Sequence, residues 1–101
     1  MANAKEVEEV PTRLTIIRKA VAEGRYLTTD HADGGMEVAD LTVLDVEHAI
    51  AHGSIRKKET DDPRGTRWEI VGPAEDGREI GMVMRMLQSG GVLIITVYKR
   101  E

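Results

Sequence analysis

One histidine and a small group of arginine and tyrosine residues are the side chains best suited to acid–base chemistry on a phosphodiester. His31 stands just before a predicted helical segment, and its unperturbed pKa of about 6.5 suits a general base. Arg67, Arg85 and Tyr98 fall on predicted strands, where arginines can hold a phosphate and a phenol can act as an acid or a substrate contact. The alternative interpretations are a locally hydrogen-bonded His31 and cross-strand ion pairs of the arginines with Glu69.

Arg78 and Thr96 are further candidates for substrate binding, the first near a predicted hairpin and the second on a predicted strand. His48 and His52 lie four residues apart on one predicted helix, a spacing that can bind a metal ion. A solvated helix face is the other interpretation, because positive imidazoles suit the C-terminal end of the helix dipole. Since no third ligand motif accompanies this pair, we expect no metal and no other cofactor.

Composition narrows the classes of function. The 101 residues carry a formal net charge of −4, and an acidic chain is a poor general binder of nucleic acid, so any role on RNA must rest on a local site. The low aromatic content, 3%, argues against a base-stacking surface. The absence of cysteine excludes disulfides and thiolate metal sites. Because no apolar segment has the length of a signal peptide or a membrane span, we expect a cytoplasmic protein that contacts no membrane.

The length predicts one α+β domain over residues 11–101, preceded by a flexible acidic arm over residues 1–10. A first helix is predicted from Pro11 to about Glu23. A second is predicted from Thr42 to Gly53, where Thr42 and Asp45 have the spacing of a capping box.

The segment between these helices has room for another turn or two of helix between His31 and Thr42. Gly34 and Gly35 argue against a strong helix there, because each glycine costs roughly 1 kcal/mol relative to alanine. Residues 26–29 are short and β-prone. After Gly53 the apolar period changes to two, which predicts one strand starting at Ile55 and three more over residues 66–72, 78–87 and 92–99. We therefore expect two N-terminal helices packed on one face of a four-stranded, mainly antiparallel sheet.

Alternation within the strands predicts an open sheet face opposite the helices. Ile80, Met82 and Met84 share one face of their strand, and Trp68 and Ile70 share one face of theirs. If these apolar sets face the helices, the open face carries Arg67, Glu69, Val71, Val83, Arg85, Ile94, Thr96 and Tyr98. This face is either a catalytic site or a partner surface.

Several short motifs occur in order between Leu14 and Tyr98. They are His31-Ala32, Met36, Leu41-Thr42, Asp45-Val46, Gly53, Pro63-Arg64-Gly65, Arg67, Gly77-Arg78 and Ile95-Thr96-Val97-Tyr98. Together their order and spacing resemble the family known as domain of unknown function 4258. Where the pattern of that family has Arg, Glu and Arg around Met36, this sequence has Gly35, Val38 and Ala39.

That family is similar in fold to small ribonuclease-like toxins of bacterial toxin–antitoxin modules, including the RelE-like and MqsR-like groups. The resemblance implies a RelE/barnase-like toxin fold, metal-independent cleavage of RNA or an activity on the ribosome, and an antitoxin protein as partner. In such chemistry a side-chain base activates the ribose 2′-hydroxyl and cations stabilise the phosphorane. The implied roles are His31 as base or orienter, Arg67 and Arg85 on phosphate, and Tyr98 as acid or substrate contact.

A second hypothesis belongs to a different class of function. A non-catalytic interaction domain, forming a homodimer or binding an antitoxin-like partner, would suit the apolar Val38 and Ala39, the negative charge and the apolar share of the open face. The two hypotheses differ for Arg67→Ala and Tyr98→Phe. These substitutions abolish activity with folding intact under the first hypothesis and alter association under the second.

Overall fold

The computed structural model describes residues 12–100, which form three helices and five strands. The helices are α1 (Arg13–Ala22), α2 (Asp30–Val38) and α3 (Val43–His52). The strands are β1 (Tyr26–Thr28), β2 (Ser54–Glu59), β3 (Arg67–Pro73), β4 (Glu79–Met86) and β5 (Val92–Lys99). The predicted arm over residues 1–10 and the predicted helix start at Pro11 lie outside the described residues.

The strands form one mixed, mostly antiparallel sheet in the order β1-β5-β4-β3-β2. β1 runs parallel to β5, and the other neighbouring pairs are antiparallel. The helices pack on the sheet over one apolar core, whose largest fully buried side chains are Ile17, Val46, Ile50, Ile70, Ile80, Met82, Met84, Val92 and Ile94. The predicted α+β class is therefore confirmed. Within residues 12–100, no helix has the length and apolar character needed to cross a membrane.

A third helix, α2, forms where the glycine pair argued against a strong helix, so the expectation of two helices is wrong. Thr29 caps α2, because its Oγ1 accepts a hydrogen bond from the Ala32 backbone N–H at 3.0 Å. Gly35 allows α2 to pack closely on the sheet, since a Cβ there would overlap the carbonyl oxygen of Val97 in β5. Tertiary packing therefore outweighs the low helix propensity of the two glycines.

A fifth strand corrects the expectation of a four-stranded sheet. The β-prone residues Tyr26–Thr28 form β1, which pairs in parallel register with Val92–Ile94 of β5. Three residues are too few for alternation to predict a strand. The pairing also joins segments that are far apart in the chain, so only the tertiary fold creates it.

A β-bulge in β5 changes which of its residues face the helices. Val83 pairs with Thr96 and Met84 pairs with Ile94, so Ile95 is an extra residue without a partner on β4. Because side chains alternate strictly in a regular strand, one extra residue reverses the predicted faces on one side of the bulge.

The predicted faces of β5 are correct after the bulge and wrong before it. Ile94 is fully buried in the core rather than displayed on the open face. Leu93, which stands opposite Arg85, takes the open face in its place. Thr96 and Tyr98 occupy the open face as the alternation predicted, because both follow the extra residue.

The predicted capping box at the start of α3 is confirmed. The Thr42 backbone N–H donates to Oδ2 of Asp45 at 2.9 Å. The other carboxylate oxygen of Asp45 accepts a hydrogen bond from the Glu75 backbone N–H at 3.0 Å. Asp45 thereby joins the start of α3 to the turn between β3 and β4.

Candidate functional site

The sheet face opposite the helices, called the open face, carries its side chains in three cross-strand rows. Cross-strand partners display their side chains on the same face of a sheet. From β2 towards β1, the first row contains Glu59, Arg67, Arg85, Leu93 and Leu27. The second contains Lys57, Glu69, Val83 and Thr96, and the third contains Ser54, Val71, Gly81 and Tyr98. Four of the candidate site residues therefore lie on this face.

The two candidate phosphate-binding arginines stand opposite each other on β3 and β4. Arg67 is held by carboxylates, since it forms an ion pair with Glu59 and its Nε lies 3.5 Å from Oδ2 of Asp62. Across the part of the chain that the structure describes, the guanidinium of Arg85 makes no hydrogen bond or ion pair. Arg85 is therefore the guanidinium of this row that is free to bind an anion.

Tyr98 reaches across the sheet from β5 to β3. Its cross-strand partner on β4 is Gly81, and a Cβ on that glycine would overlap the phenol ring. The ring therefore lies directly on Gly81, and its hydroxyl donates a hydrogen bond to Oε2 of Glu69. Glu69 is thus engaged by Tyr98 rather than by the neighbouring arginines.

Burial and the neighbouring carboxylate raise the pKa of Tyr98 above its ordinary value of 10.0. Desolvation is the largest cause, because it favours the neutral phenol. The hydrogen bond to Glu69 and its negative charge act in the same direction, while Arg100 has a weaker opposite effect. The phenol is therefore fully protonated at neutral pH.

A groove opens where α2 packs along the half of the outer edge of β5 that β1 leaves unpaired. β1 pairs only with Val92–Ile94, so α2 flanks the remainder of β5. Gly35 brings the helix backbone against the carbonyl of Val97, and Oγ1 of Thr29 donates to the carbonyl of Ile95 at 2.8 Å. These contacts fix α2 along the strand and define both walls of the groove.

The groove brings His31 of α2 together with Thr96 and Tyr98 of β5. It has a volume of about 900 Å³, and all three side chains line it. His31 is exposed in the first turn of α2, so its imidazole is accessible. Val38 and Ala39 line the same helix wall. The helix wall is therefore apolar at Val38 and Ala39 and polar at Asp30, His31 and Asp40.

A smaller pocket of about 160 Å³ adjoins the groove at Thr96, which lines both. Lys57 and Arg67 contribute cations to this pocket, while Glu59 and Glu69 contribute carboxylates. Arg67 is therefore placed beside the groove, whereas Arg85 lines neither cavity.

Arg78 does not line the groove, and it binds the C-terminal end of α2. Its Nη1 donates to the carbonyl of Ala39 at 2.7 Å, and its Nη2 donates to the carbonyl of Asp40 at 3.0 Å. Its Nε also donates to a carboxylate oxygen of Asp76 at 2.8 Å. Arg78 thus satisfies helix carbonyls that α2 leaves without partners, and its predicted role in substrate binding stays a prediction.

The histidine pair on α3 does not line the groove. Nδ1 of His48 lies 2.9 Å from the carbonyl oxygen of Pro73. The ring centroids of His48 and His52 lie 4.4 Å apart. Between residues 12 and 100, no cluster of three or more histidine, aspartate and glutamate side chains is placed to hold a metal ion.

Glu69, Gly81 and Gly35 shape the site, and the sequence alone did not assign them to it. Alternation placed Glu69 on the open face, but its partner depends on how the strands are aligned. The roles of the two glycines depend on what packs against them, a phenol ring on Gly81 and a strand carbonyl on Gly35. No local pattern in the sequence predicts either contact.

Residues 28–99 match the family described as Domain of unknown function (DUF4258), which confirms the resemblance inferred from the motifs. Neither the curated proteins nor the solved structures contain a significant match to this chain. The matched range includes α2, both walls of the groove and every candidate site residue.

Proposed function

We propose, from the premise that this chain belongs to the DUF4258 family, that it cleaves RNA without a metal ion and has a RelE/barnase-like toxin fold. The active site in this proposal is the groove between α2 and β5. One observation carries the proposal: the groove is lined by His31 from the first half of the chain and by Thr96 and Tyr98 from its end. Side chains suited to acid–base chemistry thus meet in an accessible cavity.

Cleavage at a ribose needs a base for the 2′-hydroxyl, an acid for the departing 5′-oxygen and a partner for the charged phosphorane. His31 and Tyr98 are the groups to which we assign the two proton transfers, although Asp30, Asp40 and Lys99 also line the groove. As the 2′-oxygen attacks phosphorus, the P–O5′ bond breaks, leaving a 2′,3′-cyclic phosphate and a 5′-hydroxyl end. The Thr96 hydroxyl, at the junction of the two cavities, is placed to donate a hydrogen bond to a phosphate oxygen.

Cations for the RNA backbone lie on the open face beside the groove. An RNA strand that leaves the groove past Thr96 enters the smaller pocket, which Lys57 and Arg67 line. Arg85, in the same row as Arg67, extends this positive charge and has no competing carboxylate among residues 12–100. Because the chain is acidic overall, binding would depend on these few contacts.

An antitoxin protein is the partner that this proposal implies, since an unrestrained ribonuclease damages the cell that makes it. RNA in solution and RNA on the ribosome are the two substrates to compare. The family resemblance supports both the partner and the substrate class.

The test is incubation of the purified protein with single-stranded RNA and, separately, with translating ribosomes. We expect fragments with cyclic-phosphate ends, and we expect His31→Ala and Tyr98→Phe each to slow cleavage about 10²–10⁴-fold with an unchanged circular dichroism spectrum. His52→Ala is the matched control, because His52 is exposed on α3 and lies outside the groove. Intact RNA in both assays would refute the enzymatic proposal.

A non-catalytic interaction domain is the second candidate, and the apolar groove wall favours it. Val38 is 89% exposed and lies beside Ala39 and Gly35 on that wall. Exposed apolar patches mark partner surfaces, so this wall is where a second copy or an antitoxin-like protein would bind. Sedimentation analysis separates the candidates: a dimer that Val38→Ser dissociates, together with intact RNA, supports the second and contradicts the first.

A further inference from the structure

We propose that Glu69 is a positioning residue that turns the phenol proton of Tyr98 towards β3, so that Tyr98 meets a substrate in the groove as a hydrogen-bond acceptor. The catalytic consequence rests on the proposed function, whereas the orientation rests on contacts within the sheet. This arrangement makes Tyr98 part of the base and leaves His31 as the acid.

The hydrogen bond of Tyr98 fixes what its hydroxyl can offer to the groove. A phenol has one O–H donor and lone pairs that accept. Because Oη donates its proton to Oε2 of Glu69, it can meet a group in the groove only as an acceptor, and it shares this accepting capacity with Arg100. A ribose 2′-hydroxyl, which must lose a proton, is a donor that fits this acceptor.

Gly81 leaves room for the phenol ring in this orientation. The ring lies on the glycine, where any Cβ would overlap it, and so crosses β4 to reach β3. Tyr98 lines the groove, while Glu69 lines the smaller pocket on the far side. The hydrogen-bonded pair therefore connects the two cavities beside Thr96, which borders both.

The pair can act as a proton relay in the cleavage step. As the 2′-oxygen attacks phosphorus, its proton passes to Oη of Tyr98 while the phenol proton passes to Oε2 of Glu69. The P–O5′ bond breaks, and the departing 5′-oxygen takes a proton from the imidazolium of His31. One proton is thus gained by Glu69 and one is lost by His31, and exchange with water restores both groups. No free tyrosinate forms, in agreement with the raised pKa of Tyr98.

Charged groups from each neighbouring element face Tyr98 and enter its titration. β4 contributes only Gly81 directly beneath the ring, and Glu69 of β3 and Arg100 after β5 act in opposite directions on the phenol. The remaining charged or titratable groups that line the groove with it are Asp30, His31, Asp40 and Lys99. Of the neighbours that set this pKa, Glu69 is the one that raises it.

The orientation is tested without any activity, by titrating the phenol spectroscopically. The sequence has two tyrosines, so a Tyr26→Phe background leaves Tyr98 as the single reporter. In that background we expect Glu69→Gln to move the midpoint of tyrosinate absorbance to lower pH, because the carboxylate no longer opposes ionisation. Glu75→Gln, at an exposed position in the turn between β3 and β4, is the matched control and leaves the midpoint unchanged. An unmoved midpoint in Glu69→Gln would overturn the proposal.

The catalytic role is tested by the kinetics of RNA cleavage. We expect Glu69→Gln to lower kcat about 10²-fold with little change in KM, because an amide cannot take the phenol proton. Tyr98→Phe and the double variant should lose about the same factor, because the two residues act as one unit. Losses that multiply in the double variant, or a loss that falls on KM rather than on kcat, contradict the relay. If the parent protein cleaves no RNA, the proposed function fails while the titration still decides the orientation.

Discussion

Asp45 shows how one carboxylate can serve two backbone segments. It is 9% exposed and accepts hydrogen bonds from the backbone N–H groups of Thr42 and Glu75. The bond from Thr42 is the largest cause of the lowered pKa of Asp45, and burial opposes it in part. Because these bonds favour the charged form, the ionised carboxylate contributes to the stability of the fold.

Replacement of Asp45 by asparagine should weaken the fold in a pH-dependent way. We expect Asp45→Asn to lower the free energy of unfolding by about 1–2 kcal/mol at neutral pH. Since the folded-state pKa lies below the ordinary 3.8, the contribution of the carboxylate is present above that pH and is lost as the pH falls through the folded value. Urea unfolding at several pH values across this range measures the free energy of unfolding of the parent protein and of Asp45→Asn. The difference between the two free energies should become smaller in acid.

The matched control for this substitution is Asp61→Asn, at an exposed position in the loop between β2 and β3. It should change the free energy of unfolding by less than about 0.5 kcal/mol at every pH. A constant difference between Asp45→Asn and the parent protein down to low pH would contradict the role assigned to the ionised carboxylate.

The side-by-side packing of α2 and β5 is the contact between elements that forms the groove. β1 occupies one half of the β5 edge, and α2 occupies the other half. The approach is close because Gly35 has no side chain to separate the helix from the Val97 carbonyl. The groove and the placement of His31 both follow from this approach.

The two adjacent glycines of α2 should respond in opposite ways to the same substitution. We expect Gly35→Ala to destabilise the protein by about 1–3 kcal/mol, because the new methyl group forces α2 away from β5. A methyl group at position 34 would have no atom within 4 Å. Gly34→Ala should therefore stabilise the protein by about 0.5–1 kcal/mol, because alanine has the higher helix propensity. Denaturant unfolding of both variants decides this. Equal effects at the two positions would show that the close approach is unimportant.

The whole molecule is built on one core that leaves one sheet face open. Apolar side chains from all three helices and from β3, β4 and β5 belong to a single buried cluster. Trp68 is buried on β3, where the guanidinium of Arg13 lies 4.9 Å from its ring centroid. The single tryptophan therefore reports on the contact between α1 and the sheet.

A single core predicts that the helices and the sheet unfold together, as the one-domain expectation requires. We expect the denaturation curves from Trp68 fluorescence and from far-ultraviolet circular dichroism to share one midpoint and one slope. A separate early transition seen only by fluorescence would show that α1 unfolds independently of the sheet.

The sequence by itself determined the features that depend on neighbouring residues along the chain. The capping box of Thr42 and Asp45, the helix-facing set on β4 and the open-face position of Tyr98 are examples. Periodicity and caps are local, so they can be recognised before the fold is known. The family pattern is likewise a property of order and spacing, and it is confirmed over residues 28–99.

Only the tertiary structure decided which candidate residues meet. The bulge at Ile95 reversed the faces of Leu93 and Ile94, and the parallel pairing of β1 with β5 added a strand that alternation did not predict. The contact of Tyr98 with Glu69 depends on strand alignment, and its approach to His31 depends on how closely α2 packs on β5. These relations are set by long-range packing, where a glycine without a side chain matters more than its low helix propensity.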